Sequence, residues 1–275
     1  MTMKLGSALE VVTATDPGMV RSHNEDSIAT DQEIGLAVLA DGMGGYNAGE
    51  VASGIAVAML TSEMREALAG RQAHATDDSG APLAVALIRD SAAKANAAIY
   101  QTAKSQPQYA GMGTTLVTAL FYDNHVAIGH VGDSRLYRLR GDNFEQITRD
   151  HSLLQEQIDS GMISKEQARY SQNKNLVTRA VGIDPETETE IHTYEVEPGD
   201  IYLLCSDGLS DMVEDEDIHA TLSMLRSNLP LAAKQLVQLA NDNGGRDNIS
   251  VILVRVLGDY AVPSGWFAKF KAWFG

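Results

Sequence analysis

The 275-residue chain carries 21 Lys and Arg against 37 Asp and Glu, a formal net charge of −16, and 44% of its residues are hydrophobic. That hydrophobic share excludes wholesale disorder and supports a sizeable core in one large domain or two small ones. The acidity argues against general affinity for nucleic-acid phosphates, and the single Cys205 excludes an intramolecular disulfide framework and a Cys₂ metal site. No apolar run approaches the roughly 18 residues of a membrane span. The stretch Met1 to Gly6 lacks the apolar core of a signal peptide, so the expectation is a cytoplasmic protein.

In chain order, Leu9 to Ala14 and Gly35 to Ala40 read as strands, short and rich in β-branched or large apolar residues. Ala48 to Leu68 reads as a helix with Val51, Ile55, Ala58, Met59 and Met64 near one face. After a small, polar loop from Gly70 to Pro82, Leu83 to Lys104 reads as a second helix, with Leu83, Leu87, Ala95 and Ile99 at compatible spacing. Strands follow at Thr114 to Tyr122 and His125 to Val131, separated by Asp123-Asn124, a tight hairpin signal. Arg135 to Leu139 and Phe144 to Ile147 flank a turn at Gly141-Asp142-Asn143. Asp200 to Cys205 and Ile249 to Val256 are further strands, with helices at Asp217 to Arg226 and Leu231 to Asn241 between them. Cys205, inside an apolar run, reads as a buried structural thiol. With no repeat and no obvious linker, one α+β domain is expected: two antiparallel sheets packed face to face and covered by helices.

Acidic clusters punctuate this pattern. Asp41 and Asp207 follow apolar strands, Asp247 precedes one, and Glu25-Asp26 lies upstream. Antiparallel neighbours place the end of one strand beside the start of the next, so the three aspartates can meet at one rim. Gathering carboxylates is costly unless a cation neutralises them, and hard divalent ions such as Mg²⁺ and Mn²⁺ prefer oxygen ligands. An Asp-Gly pair such as Asp41-Gly42 or Asp207-Gly208 is on its own more often a turn. The loop Gly42-Met43-Gly44-Gly45 lacks the lysine of a nucleotide-binding loop.

The motifs Arg21-Ser22-His23-Asn24-Glu25-Asp26-Ser27, Leu39-Ala40-Asp41-Gly42-Met43-Gly44-Gly45, Gly113-Thr114-Thr115-Leu116, Gly129-His130-Val131-Gly132-Asp133-Ser134-Arg135, Thr178-Arg179-Ala180-Val181-Gly182, Ser206-Asp207-Gly208-Leu209 and Arg246-Asp247-Asn248-Ile249-Ser250-Val251 occur in this order. Together they resemble the metal-dependent serine/threonine protein phosphatases of the 2C type, in their compact bacterial form, over roughly residues 8 to 256. Each motif alone is weak evidence, whereas seven in order are specific.

The resemblance implies a four-layer α/β/β/α sandwich whose catalytic domain covers residues 1–257. It implies hydrolysis of phosphoserine and phosphothreonine by attack of a water bridging two Mn²⁺ or Mg²⁺ ions, with a third ion site in bacterial members. Asp41 is similar to the bridging carboxylate and the Gly42 carbonyl to a further ligand. Glu25 resembles a ligand or water-mediated ligand of one ion, Asp207 and Asp247 those of the other, and Asp133 a third-site ligand shared with Asp207 and assisted by Asp211. Arg21 resembles the phosphate-binding arginine, a role its planar fork of donors suits. The chemistry is coherent: paired divalent ions lower the pKa of water, template in-line attack and keep close carboxylates ionised. No covalent phosphoenzyme is needed.

Bacterial relatives carry a histidine after the Asp-Gly-Met-Gly-Gly stretch where this chain has Tyr46, and eukaryotic ones carry it where this chain has Met43. The leaving-group proton is therefore left to metal-bound water or to His23. Arg135 and Arg179 read as structural ion-pair partners, Asn248 as support for the Asp247 turn, and His130 and His151 as structural. Residues 152–177 resemble a flap over the site, with Leu153, Leu154 and Ile158 on a helical face.

Beyond Gly258, Trp266, Phe267, Phe270, Trp273 and Phe274 recur at helical spacing with Lys269 and Lys271 between them. A membrane or protein docking helix and a terminal helix folded on its own core stand here as equal readings. Phosphorylated proteins are the implied substrates and a bacterial serine/threonine kinase the implied opponent. Two rival readings are a catalytically silent binding module, which should have lost the metal carboxylates, and a same-fold phosphatase acting on an anti-sigma-factor antagonist.

Overall fold

The computed structural model describes residues 3–45, 47–76, 80–168 and 176–262. Two antiparallel sheets form the centre. One runs in the order β1 (Leu9–Asp16), β11 (Ile249–Val256), β10 (Ile201–Cys205), β7 (Arg135–Arg140), β8 (Asn143–Gln146). The other runs β2 (Asp26–Asp31), β3 (Leu36–Met43), β5 (Leu116–Tyr122), β6 (His125–Val131), β9 (Glu190–Glu195), with the short β4 (Gly113–Thr114) paired to the end of β3. Leu39, Val117, Phe121 and Ile128 of the second sheet interleave with Leu136, Tyr202, Leu204, Ile252 and Val254 of the first. Phe121 meets Tyr202 edge to face at 5.3 Å across that seam.

Helices α2 (Ala48–Leu68) and α3 (Leu83–Ser105) cover the outer face of the second sheet. The outer face of the first is covered by α6 (Asp207–Ser210), α7 (Asp215–Met224) and α8 (Leu229–Asp242). This is the expected four-layer sandwich. The other α-helices among the described residues are short: α1 (Leu5–Ala8), α4 (Leu153–Asp159) and α5 (Lys165–Ala168). No helix among the described residues is long and apolar enough to cross a membrane.

The Asp123-Asn124 hairpin forms as expected, both residues having positive φ (44° and 54°). Other details differ from the periodicity. On α2 the buried stripe is Ala52, Ala56, Leu60 and Met64, while Val51 and Ile55 are only half-buried and Ala58 is exposed. Small alanines let this helix close on the sheet, so the larger residues flank the contact instead of filling it. On α3, Ile88 rather than Leu87 is fully buried. The strands β2 and β9 were not legible: β2 is half-buried throughout and begins and ends on aspartate, and β9 is a polar edge strand. The expected continuous strand Thr114 to Tyr122 breaks at Thr115, whose backbone N–H donates to Asp41 O (2.8 Å) and whose Oγ1 accepts from Asp41 N (3.0 Å). That break moulds the chain around Asp41.

Beyond β11 the chain turns back onto the β5–β6 hairpin: the Tyr260 N–H donates to Asn124 Oδ1 (2.8 Å) and its ring is buried. The aromatic residues from Trp266 onward, and Tyr46, lie outside the described residues.

Candidate metal centre

Strand ends assemble this site. Asp41 lies near the end of β3, directly opposite Asp26 at the start of β2. Asp207 opens α6 immediately after β10, Asp247 stands just before β11, and Asp133 follows β6. All open on the same rim of the sandwich, because antiparallel pairing aligns these ends: Cys205 faces Val251, and Leu116 faces Val131. The two sheets are tied together there by Ser206 Oγ, which donates to Asp26 Oδ2 (2.8 Å).

Glu25 packs against the first turn of α2. A Cβ on Gly49 would lie 2.9 Å from Glu25 Cδ and 2.7 Å from the Gly42 carbonyl carbon. A Cβ on Gly42 would in turn lie 2.1 Å from Gly49 O. Only glycine at both positions lets helix and strand approach this closely. Gly42→Ala is therefore expected to destabilise the protein by about 1–3 kcal/mol in urea unfolding, since the obstacle is backbone.

Asn248 does more than support a turn. Its N–H donates to Asp247 Oδ1 (2.9 Å) and its Oδ1 accepts from Glu25 N (2.8 Å). Its Nδ2 donates to Pro17 O (3.0 Å) and His23 O (2.8 Å), fixing the loop that carries Arg21. Arg21 is half exposed and donates from Nη2 to Asp247 Oδ2 at 2.7 Å. His23 is exposed in the same loop.

The electrostatics are those of a crowded acid cluster. Burial, with Asp26, Asp207, Asp133 and Asp247 around it, holds the Asp41 pKa well above the carboxylate range. Burial and the charges of Asp133, Asp211, Asp247 and Asp26 do the same to Asp207. Asp26 is pushed up to about 7, chiefly by burial, and Asp133 to about 6 by burial and the charges of Asp150 and Asp211. Burial also raises Glu25, against the opposing pull of Arg21.

Two carboxylate oxygens, Asp26 Oδ1 and Asp207 Oδ1, are buried with no hydrogen-bond partner among the described residues. Acceptors left in that state are expensive in protein alone. An all-oxygen donor set with orphaned acceptors and mutual repulsion fits a hard divalent cation. The sequence marks Asp26 as part of an acidic cluster but points to no role for it. Its pairing with Asp41 is a matter of register, which only the β2–β3 ladder reveals.

Beside Asp133 and Asp207 opens a cavity of about 260 Å³, lined also by Asp211 and Asp150 and roofed by Leu154 and Ile158 of α4. A larger cavity of about 480 Å³, lined by Tyr122, Asp123 and Tyr260, lies at the opposite strand ends, away from the carboxylates. Arg135 is an ion-pair partner, as expected: its Nε and Nη2 donate to Asp150 (2.7–3.1 Å). Arg179 is exposed. Cys205 is fully buried, and burial pushes its thiol up to about 12, which makes it inert as a nucleophile.

A sandwich with oxygen donors clustered at one rim is the architecture of a protein that holds hard divalent cations. The sequence matches the family described as protein phosphatase 2C over residues 20–242, and the chain belongs to that family. It is 40% identical over 252 residues to the serine/threonine protein phosphatase PstP of Mycobacterium tuberculosis, covering 92% of this chain and 46% of that protein. This chain thus spans about half the length of PstP. It is 37% identical over 243 residues to the serine/threonine phosphatase stp of Listeria monocytogenes, covering 87% of this chain and 93% of that one. The fold matches the crystal structure of PstP with a TM-score of 0.81 at 37% identity, covering 91% of this chain and 99% of that one. It matches the PstP catalytic domain in complex with two manganese ions with a TM-score of 0.79 at 36% identity, covering 91% and 99%. The described domain is thus similar in sequence and in fold to bacterial members of the protein phosphatase 2C family.

Proposed function

We propose that this chain hydrolyses phosphoserine and phosphothreonine in protein substrates with the help of divalent metal, opposing a bacterial serine/threonine kinase from within the cytoplasm. Glu25, Asp41, the Gly42 carbonyl, Asp207 and Asp247 hold two ions, Mn²⁺ or Mg²⁺, and Asp133 with Asp207 holds a third. The observation that carries this reading is the convergence of these carboxylates, with one oxygen each of Asp26 and Asp207 buried and without a hydrogen-bond partner among the described residues. When bound, such ions supply charge for the phosphoryl oxygens and water acidic enough to attack at neutral pH.

The chain's own groups do the rest. Arg21, anchored by Asp247 and reaching solvent, presents a guanidinium fork to the phosphate. Asn248 holds the Arg21 loop and the Asp247 turn in one piece, so phosphate binding and metal binding share a support. The catalytic domain covers 1–257, and the flap at residues 152–177, of which 169–175 lie outside the described residues, discriminates substrates or gates access to the site.

Assaying a phosphothreonine peptide with Mn²⁺ and then with EDTA tests the reading: turnover should appear with the metal and vanish with the chelator. A folded protein that never turns over in Mn²⁺ would make it a binding module instead. Arg21→Ala is expected to raise KM about tenfold or more, the loss of a charge-assisted contact of about 1.5–3 kcal/mol, with kcat falling less. Steady-state kinetics on the same peptide checks this, and an unchanged KM would remove Arg21 from the phosphate site.

A further inference from the structure

His130 and His151 stack in the interior, ring centroids 4.7 Å apart and 16° from parallel, with Glu190 within reach. Three ligand-type groups within 4.8 Å resemble a cation site. Near-parallel imidazole planes, however, cannot both contain a common ion, as coordination through in-plane nitrogen lone pairs demands.

Their hydrogen bonds indicate a different role. The Arg149 carbonyl can only accept, so His130 donates to it from Nε2 (2.9 Å). The Gly132 N–H can only donate, so His151 Nδ1 is the acceptor (3.1 Å) and the ring proton sits on Nε2, facing Glu190 Oε2 at 3.3 Å. Burial pushes the His151 pKa down and so favours this neutral form. The backbone N–H of His151 also donates to Gly132 O (2.9 Å).

One residue thereby holds the peptide planes on both sides of Gly132. That glycine has a φ of +102°, and a Cβ there would lie 2.7 Å from Thr115 Cγ2. The residue that follows it is Asp133. Ser134, next again, is held by Thr115 through their hydroxyls (2.7 Å), and Thr115 is bonded to Asp41. His151 also closes the base of the flap, accepting from Thr178 N at its carbonyl (2.8 Å) beside the Leu153 N to Leu176 O bond (2.9 Å).

We infer that His151 is a positioning residue: by gripping Gly132 through Nδ1 and its own N–H, it sets the turn that aims Asp133 into the metal centre. The inference rests on the proposed metal role of Asp133.

The test is calorimetric titration of Mn²⁺ into the metal-free full chain, with melting curves in EDTA, for wild type, D133N, H151N, H151Q and H151A. Asparagine Oδ1 takes the place of Nδ1 and keeps the acceptor. Glutamine reaches only the Nε2 position, and alanine removes the acceptor with no added bulk, so the pair survives the misfolding of either. The expected result is that D133N, H151Q and H151A lose the same ion, or bind it about 10–100-fold more weakly, as happens when a group that orients a metal ligand is removed. H151N should stay close to wild type. A purely structural histidine would make Asn and Gln equally harmful, and that outcome overturns the inference, as does wild-type binding by H151Q and H151A. If D133N loses the ion while the acceptor-less variants keep it, the positioning role alone falls. If D133N itself binds like wild type, the ligand role of Asp133 falls and takes this inference with it.

Discussion

Asp41→Asn and Asp207→Asn, made separately, should each lower turnover of a phosphothreonine peptide by roughly a thousandfold or more while the protein stays folded. Each substitution deletes a negative charge from a site where metal-borne charge is worth several kcal/mol to the transition state, and each 1.4 kcal/mol is about a tenfold change in rate. The same variants should melt higher than wild type in EDTA. Both carboxylates are driven well above their ordinary pKa by burial and by neighbouring aspartates, so ionising them in the metal-free protein is uphill. A neutral amide of the same shape removes that repulsion. Lost activity together with gained metal-free stability is the signature of a residue kept for function at the expense of the fold. Wild-type turnover, or a lower melting temperature in EDTA, would exclude that role.

A second large effect should appear when pH is varied without metal. Asp26 (about 7) and Asp133 (about 6) have folded-state pKa values above those of the unfolded chain, near 3.8. For raised pKa values, the stabilisation from proton uptake is complete below the unfolded value and is lost as pH climbs through the folded ones. Metal-free protein should therefore lose on the order of a few kcal/mol of stability between about pH 5 and pH 8, since each pKa unit corresponds to about 1.4 kcal/mol. Saturating Mn²⁺ should flatten or reverse that slope, because the ion takes the place of the protons and binds better as they leave. Chemical unfolding in EDTA and in Mn²⁺ across this range measures both limbs. A flat or rising stability in EDTA would mean that the carboxylates are not crowded as described.

Much of this is legible in the amino-acid sequence. Asp41-Gly42 and Asp207-Gly208 at the ends of apolar runs, and Asp247-Asn248 before another, marked the rim because strand ends are visible in hydrophobic patterning. The Asp123-Asn124 turn was equally plain, since a two-residue hairpin demands residues that tolerate positive φ. Where burial is partial, the pattern fades. Strand β2 has no fully buried residue and β9 is a polar edge, so neither shows the alternation by which strands are recognised. On α2 the first half of the buried face is made of small residues (Ala48, Gly49, Ala52, Ser53 and Ala56), which carry little hydrophobic signal for the area they let two elements share.

The order of the elements, the acidic strand ends and the chemistry open to an all-oxygen cluster belong to the sequence by itself, because they depend on composition and on spacing along one chain. The partnerships belong to the tertiary structure. Asp26 meets Ser206 across 180 positions, Arg21 meets Asp247 across 226, and Gly132 meets the ring of His151 across 19. Those pairings follow from which sheet faces stack and in what register, a choice made by the buried side chains of the whole sandwich at once. No local stretch carries it, so which acids share charge and which histidine holds a loop were settled only when the layers closed.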